Sequence, residues 1–357
     1  MTAKMNGIHR LRTTLNTVRA GVKARPFVAT MLVGFGMLSV AGFAIQSPNA
    51  NSPSESKDTT RAAIDRFWAV YHGNDYDAIP QVQEQLQAAI QNDANNPTLH
   101  ALLGASHFWH IGEAARDPIP NDPVLAQDMQ DAVDSFGQAL QLDYYTHHPI
   151  GYINDDHLPG YLGITTVHLG QQNNDLRLLA QGDQILDFAV YEFPEFNNFN
   201  RWAAHLTDPR GSESYNKALN SLWQALDNCV GGAIDRTKPD IGPYLNLVTS
   251  VGRKKACWWE NNIAPYAFEG IMLNLGNGLV KAGQVEQAKI IFANARYAKN
   301  YDTWPYQQYL EQVASSNLYA RSAMYADGDP AKGPPLGVPN RGCSYCHATV
   351  PEHDVSP

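Results

Sequence analysis

The chain has 357 residues, 44% of them hydrophobic, with 26 Lys and Arg against 35 Asp and Glu and a net charge of −9. That composition belongs to a globular protein of one or two domains and excludes a disordered or collagen-like chain. Six basic residues and no acidic one precede position 46, so the other 20 basic residues face all 35 acids; a body with a balance of −15 does not bind nucleic acid or an anionic lipid surface through bulk charge.

The first element predicted is a targeting segment. Residues 1–26 carry Lys4, Arg10, Arg12, Arg19, Lys23 and Arg25, and from Phe27 to Ile45 there are nineteen uncharged residues. At about 1.5 Å per residue this run crosses a bilayer core of about 30 Å. The basic flank stays on the cytoplasmic side, which places everything after Ile45 on the far side. Retention predicts a single-pass inner-membrane protein with a periplasmic body; cleavage after Ala44 predicts a secreted periplasmic one. In either case the membrane is met through the N-terminal segment only. Residues 46–58, with SPNANSPSESKD from Ser47 to Asp58, read as a flexible linker.

The body, residues 59–326, reads as helices. Ile64, Phe67, Trp68 and Tyr71 fall at i, i+3, i+4, i+7, and Val82, Leu86 and Ile90 make a second stripe beyond Gly73 and Pro80. Leu158 to Leu169 and Leu179 to Tyr191 read as a helix pair. Tyr215, Leu219, Leu222, Trp223 and Leu226 form another stripe, ending near Cys229 and Gly231. YEFPEFNNFNRW (Tyr191 to Trp202) and ACWWENNIAPY (Ala256 to Tyr266) read as aromatic, Pro-containing connections.

Leu275, Gly276, Leu279, Gly283, Ala288, Phe292 and Ala295 place small and apolar residues where a tetratricopeptide repeat has two antiparallel helices and their turn. Asn96 to Asp143 resembles the same unit, with Leu103 and Gly104 in the first helix and Ala132, Phe136 and Ala139 in the second. Sixteen additional residues lie between them, among them the loop sequence Ala115 to Pro123. The expected fold is all-α, stacked helical hairpins of tetratricopeptide-like build, followed by an irregular tail over 327–357. Four prolines after Asp329 exclude a helix ahead of Gly342.

The chemistry is concentrated in that tail. Cys343, Ser344, Tyr345, Cys346 and His347 spell CxxCH, the attachment motif of a c-type haem. Two thiols three positions apart reach the two vinyl groups of one porphyrin, and the adjacent imidazole meets the iron. The motif predicts one covalently attached haem c, with thioether links from Cys343 and Cys346 and His347 as the proximal iron ligand. Alternatives are a thiol–disulfide centre, a zinc site short of its fourth ligand, and a structural disulfide. Cys229 and Cys257, 28 positions apart, are expected to pair with each other in an oxidising compartment, at a gain of about 3.5 kcal/mol on the loop-entropy estimate.

Only ten residues follow His347, and no Met is among them. Candidate sixth ligands are therefore Met324, His353 and body histidines such as His107, His110, His147, His148, His157, His168 and His205, with Met324 the first choice. An open sixth position would permit ligand binding or peroxide chemistry. HExxH, GxSxG, phosphate-binding and dinucleotide-binding signatures are absent from the sequence.

With its C-terminal motif and the stretch ACWWENNIAPYAFEGIMLNLGNGLVKAGQ (Ala256 to Gln284), the chain resembles bacterial exported proteins of tetratricopeptide-like helical build that end in a single CxxCH. The resemblance covers residues 140–350 loosely and implies a monohaem c-type cytochrome on a helical-repeat scaffold. Together these readings predict an electron carrier more than an enzyme, exchanging single electrons with a docked protein partner. The alternatives are a scaffold or assembly protein with a structural or sensory haem, and a peroxidase-like haem enzyme.

Overall fold

The computed structural model describes residues 53–113, 123–146, 157–247, 262–329 and 342–350. The basic N-terminus, the apolar segment 27–45, Cys257, His147, His148 and His353 lie outside the described residues. Among the described residues there is no strand, and no helix is long and apolar enough to cross a membrane.

The helices follow one another as antiparallel neighbours: α1 (Pro53–His72) with α2 (Ile79–Asn92), α3 (Pro97–Glu113) with α4 (Pro123–Thr146), and α5 (Leu158–Asn173) with α6 (Leu176–Glu192). Then α7 (Pro194–His205) packs on α8 (Glu213–Val230), and α9 (Ala267–Ala282) on α10 (Val285–Asn294). Three short helices close the chain: α11 (Gln307–Ser315), α12 (Leu318–Ala323) and α13 (Gly342–His347). Successive pairs stack, α2 on α3, α4 on α5 and α6 on α7.

Local chemistry sets the ends of these helices. Asp175 caps α6 by accepting from the backbone N–H groups of Arg177 and Leu178, and Ser212 caps α8 by accepting from Tyr215 N. α8 and α9 stop at Gly231 and Gly283, whose φ values of 74° and 89° favour glycine. The stripes read from the sequence turn inward: Phe67, Val82, Leu86, Tyr215, Leu222 and Leu226 are core residues.

Close approach within two of the pairs depends on one glycine each. A Cβ on Gly276 would stand 2.2 Å from the Phe292 ring, and one on Gly104 would stand 3.0 Å from the Phe136 ring. Each phenylalanine of the second helix thus fills the notch left by a glycine of the first.

Three expectations need correction. α1 begins at Pro53, so residues 53–58 are helix and not linker. The stretch from Pro194 onward, expected as a connection, is the helix α7, with its proline in the first turn where the missing N–H costs nothing. CxxCH lies on α13 and is docked on the body, where an irregular tail was expected.

Buried residues form two principal cores. One runs from Ala63 to Ile185 through α1 to α6, the other from Trp202 to Leu318 through α7 to α12. Tyr345 and Ala348 complete the second core, while the residues around them bond to the end of α1. The motif therefore sits where the first helix of the body meets the last core.

Candidate functional site

α13 is short, and its neighbours hold it. Tyr266 N donates to Cys346 O at 3.0 Å, Trp304 Nε1 to Tyr345 O at 2.9 Å, and Thr349 N to His72 O at 2.9 Å. Thr349 Oγ1 donates to that same His72 carbonyl, and Ser344 Oγ lies 3.3 Å from Asn74 Oδ1. The Tyr345 ring packs against Tyr306 and Tyr309, with centroids 4.9 and 5.9 Å away. These contacts tie a six-residue helix to α1, to α9 and to the segment ahead of α11.

His347 Nδ1 lies 2.7 Å from the backbone carbonyl of Ile263. A carbonyl only accepts, so Nδ1 carries the proton and Nε2 keeps its lone pair. Burial pushes the imidazole pKa down to about 4; the Ile263 bond acts the other way, and nearby His72 adds to the lowering. The ring is neutral at pH 7, in the tautomer that a metal ligand requires. His72 Nε2 reaches the same Ile263 carbonyl at 3.1 Å, and the Tyr71 ring stands 5.1 Å from the His347 ring.

Neither motif thiol is in a disulfide. Cys343 is half-buried and hydrogen-bonded to the Tyr71 side chain, with Tyr161 close enough for its acidity to be suppressed by burial and by the Cys343 charge. Cys346 is buried, its Sγ 3.9 Å from Ala267 O. A Cβ on Gly270 would stand 2.3 Å from that sulfur, so the α9 backbone approaches the thiol through a glycine. Burial, the Cys343 charge and the Glu269 charge all push the Cys346 thiol up. The Cys346 thiol is therefore protonated and not a stabilised thiolate. Among the described residues no group of three or more His, Cys, Asp and Glu is placed to hold a metal ion.

The residues fit a covalently held haem: two unbridged thiols three positions apart, and beside them a neutral imidazole whose proton is held at Nδ1. Among the described residues, the candidate sixth ligands are not brought to this point. Met324 is exposed, directly after α12. Its neighbours Ser322 and Tyr325 meet Arg210 and Lys281 at the C-terminal end of α9. Cys346 lies at the N-terminal end, about 16 Å away along the axis at about 1.5 Å per residue.

The described histidines have other partners. His107 and His110 place Nδ1 2.6 Å from the two oxygens of Asp128. His205 bonds Asp183 and Asp208, His168 bonds the Ala203 backbone, and His157 packs on Phe193 and Phe196. Cys229 is disulfide-bonded, and Cys257 lies outside the described residues.

His72, Tyr71, the Ile263 carbonyl, Gly270 and Glu269 were not found by sequence reasoning as parts of this site. Only Glu269 left a signal, as the one acid in the apolar run Ala267 to Ala282. No known protein family, curated protein or solved structure matches the chain.

Proposed function

We propose that the protein is a monohaem c-type cytochrome that exchanges single electrons with a protein partner. The observation that carries this reading is the 2.7 Å bond from His347 Nδ1 to Ile263 O, which presents a neutral imidazole beside two thiols that are not in a disulfide. Haem c, when bound, supplies the one-electron couple. Cys343 and Cys346 would hold it by thioether links, and His347 would ligate the iron through Nε2. The role of the chain is then to fix the ligand tautomer through Ile263, to keep water from Cys346, and to offer a docking surface.

The paired helices, with a glycine–phenylalanine contact in two of them, support a tetratricopeptide-like scaffold as that surface. The basic stretch followed by nineteen uncharged residues supports a membrane-tethered, periplasm-facing body, which is also the compartment where haem is attached. A second reading, a haem that binds an external ligand, is favoured by the distance of Met324 from the motif and by the other partners of the described histidines.

Absorption spectra of the exported domain, oxidised, reduced and reduced under carbon monoxide, test both. Electron transfer predicts a low-spin haem that carbon monoxide leaves unchanged. A spectrum that shifts with carbon monoxide selects the ligand-binding reading, and no haem absorption leaves a scaffold protein.

A further inference from the structure

α9 is apolar along most of its length, yet its first turn holds Glu269. The side chain is fully buried, and neither carboxylate oxygen has a hydrogen-bond partner in another residue among those described. The next residue, Gly270, is the one against which Cys346 Sγ packs, and Glu269 is close enough for its charge to act on that thiol. Cys346 of α13 is thus the side chain that faces it, titratable as a thiol and uncharged once it forms a thioether. From α8, α10, α12 and the 3-10 turn Ala295–Tyr297 with its Arg296 and Tyr297, the other elements packed on α9 among the described residues, no charged or titratable side chain acts on it. An ionised carboxylate held in such a place is costly, and the nearest change of charge that would alter the cost is at the motif.

Resting on the haem reading above, we propose that Glu269 is a proton-exchanging group coupled to the electron carried at the CxxCH motif. As the partner protein delivers one electron, Glu269 takes up one proton from solvent, so that Fe(III) with a carboxylate becomes Fe(II) with a carboxylic acid. Release of the electron reverses both. The added negative charge of the electron is balanced by the proton, which removes the cost of a second uncompensated charge in a buried place. Burial raises the Glu269 pKa to about 7, opposed only by its own backbone N–H, so the exchange falls in the neutral range. Linkage then requires the reduction potential to fall as pH rises through that range.

The test is a potentiometric titration of the holo-protein between about pH 5 and pH 9, on the parent and on Glu269→Gln, which keeps the shape and removes the charge. One proton per electron changes the equilibrium tenfold per pH unit, about 59 mV for a one-electron couple. The parent is expected to approach that slope around pH 7 and the variant to lose it at unchanged haem content, while any slope from the haem propionates persists in both. Denaturant unfolding of the same preparations gives a readout independent of the potential. For a raised carboxyl, the parent's midpoint falls as pH rises from the ordinary value of 4.5 through about 7, and the variant's does not. A haem-bearing protein with equal slopes in parent and variant, or a parent midpoint that does not fall, overturns the coupling alone. A chain without haem overturns the cytochrome reading and the coupling with it.

Discussion

His347 is bound through Nδ1 to Ile263 O, and the two thiols beside it would form covalent links that do not depend on the ring. Replacement of His347 with Ala should therefore leave haem content near that of the parent while the spectrum loses its low-spin form; equal loss of both would contradict the assigned roles. A second residue makes a pH statement. Burial by itself would lower the His205 pKa, but hydrogen bonds to Asp183 and Asp208, at 2.9 Å each, raise it to about 9. The stabilisation from the charged ring is complete below pH 6.5 and is lost as pH rises through about 9. Because Asp183 is half-exposed, it amounts to on the order of 2 kcal/mol. His205→Gln should flatten the fall in unfolding free energy between pH 6.5 and pH 9.5, measured by urea titration; a fall as steep as the parent's would assign it elsewhere. The motif was legible residue by residue because its chemistry lies in contiguous positions. Tyr71, His72 and Ile263 were not, since each acts across more than 80 positions of sequence, by a ring edge or a backbone carbonyl that no side-chain pattern records.

Among the elements, the notch in α9 carries a direct consequence. Gly276→Ala would place a methyl 2.2 Å from the Phe292 ring inside a filled core, and overpacking of this kind costs about 1–3 kcal/mol. Gly104→Ala meets Phe136 at 3.0 Å and should cost less. Thermal unfolding of the two variants should rank them in that order, and the reverse order would deny that Gly276 sets the α9–α10 spacing. The amphipathic helices α1, α2 and α8 were readable because one face is apolar at helical spacing. α7 was not, because its buried face includes Asn197, Asn198 and Asn200. These asparagines bond locally: Asn197 Nδ2 donates to Ala189 O, Asn198 Nδ2 to Pro194 O, and Asn200 Nδ2 to Asn197 Oδ1. A polar side chain with its partner built in can be buried without the apolar stripe by which helices are recognised.

At the scale of the whole molecule, the motif is placed by both ends of the described chain. The first core begins on α1, whose final residue accepts Thr349 through its carbonyl, and the second core takes in Tyr345 and Ala348. The order of α1 to α6 and of α8 to α10 was legible in the sequence, but the meeting of α1 with α13 was not, because it joins residues about 270 positions apart. The charge asymmetry of the N-terminus adds a topological prediction: a reporter fused after Pro357 should be active only in the periplasm, and activity in the cytoplasm would contradict both export and haem attachment. The central claim is covalent haem at Cys343 and Cys346, and the mass of the denatured, reduced and alkylated exported protein tests it most directly. The account predicts the chain mass plus one haem, with two alkylated cysteines, Cys229 and Cys257. A chain without the added haem and with all four cysteines alkylated would contradict it.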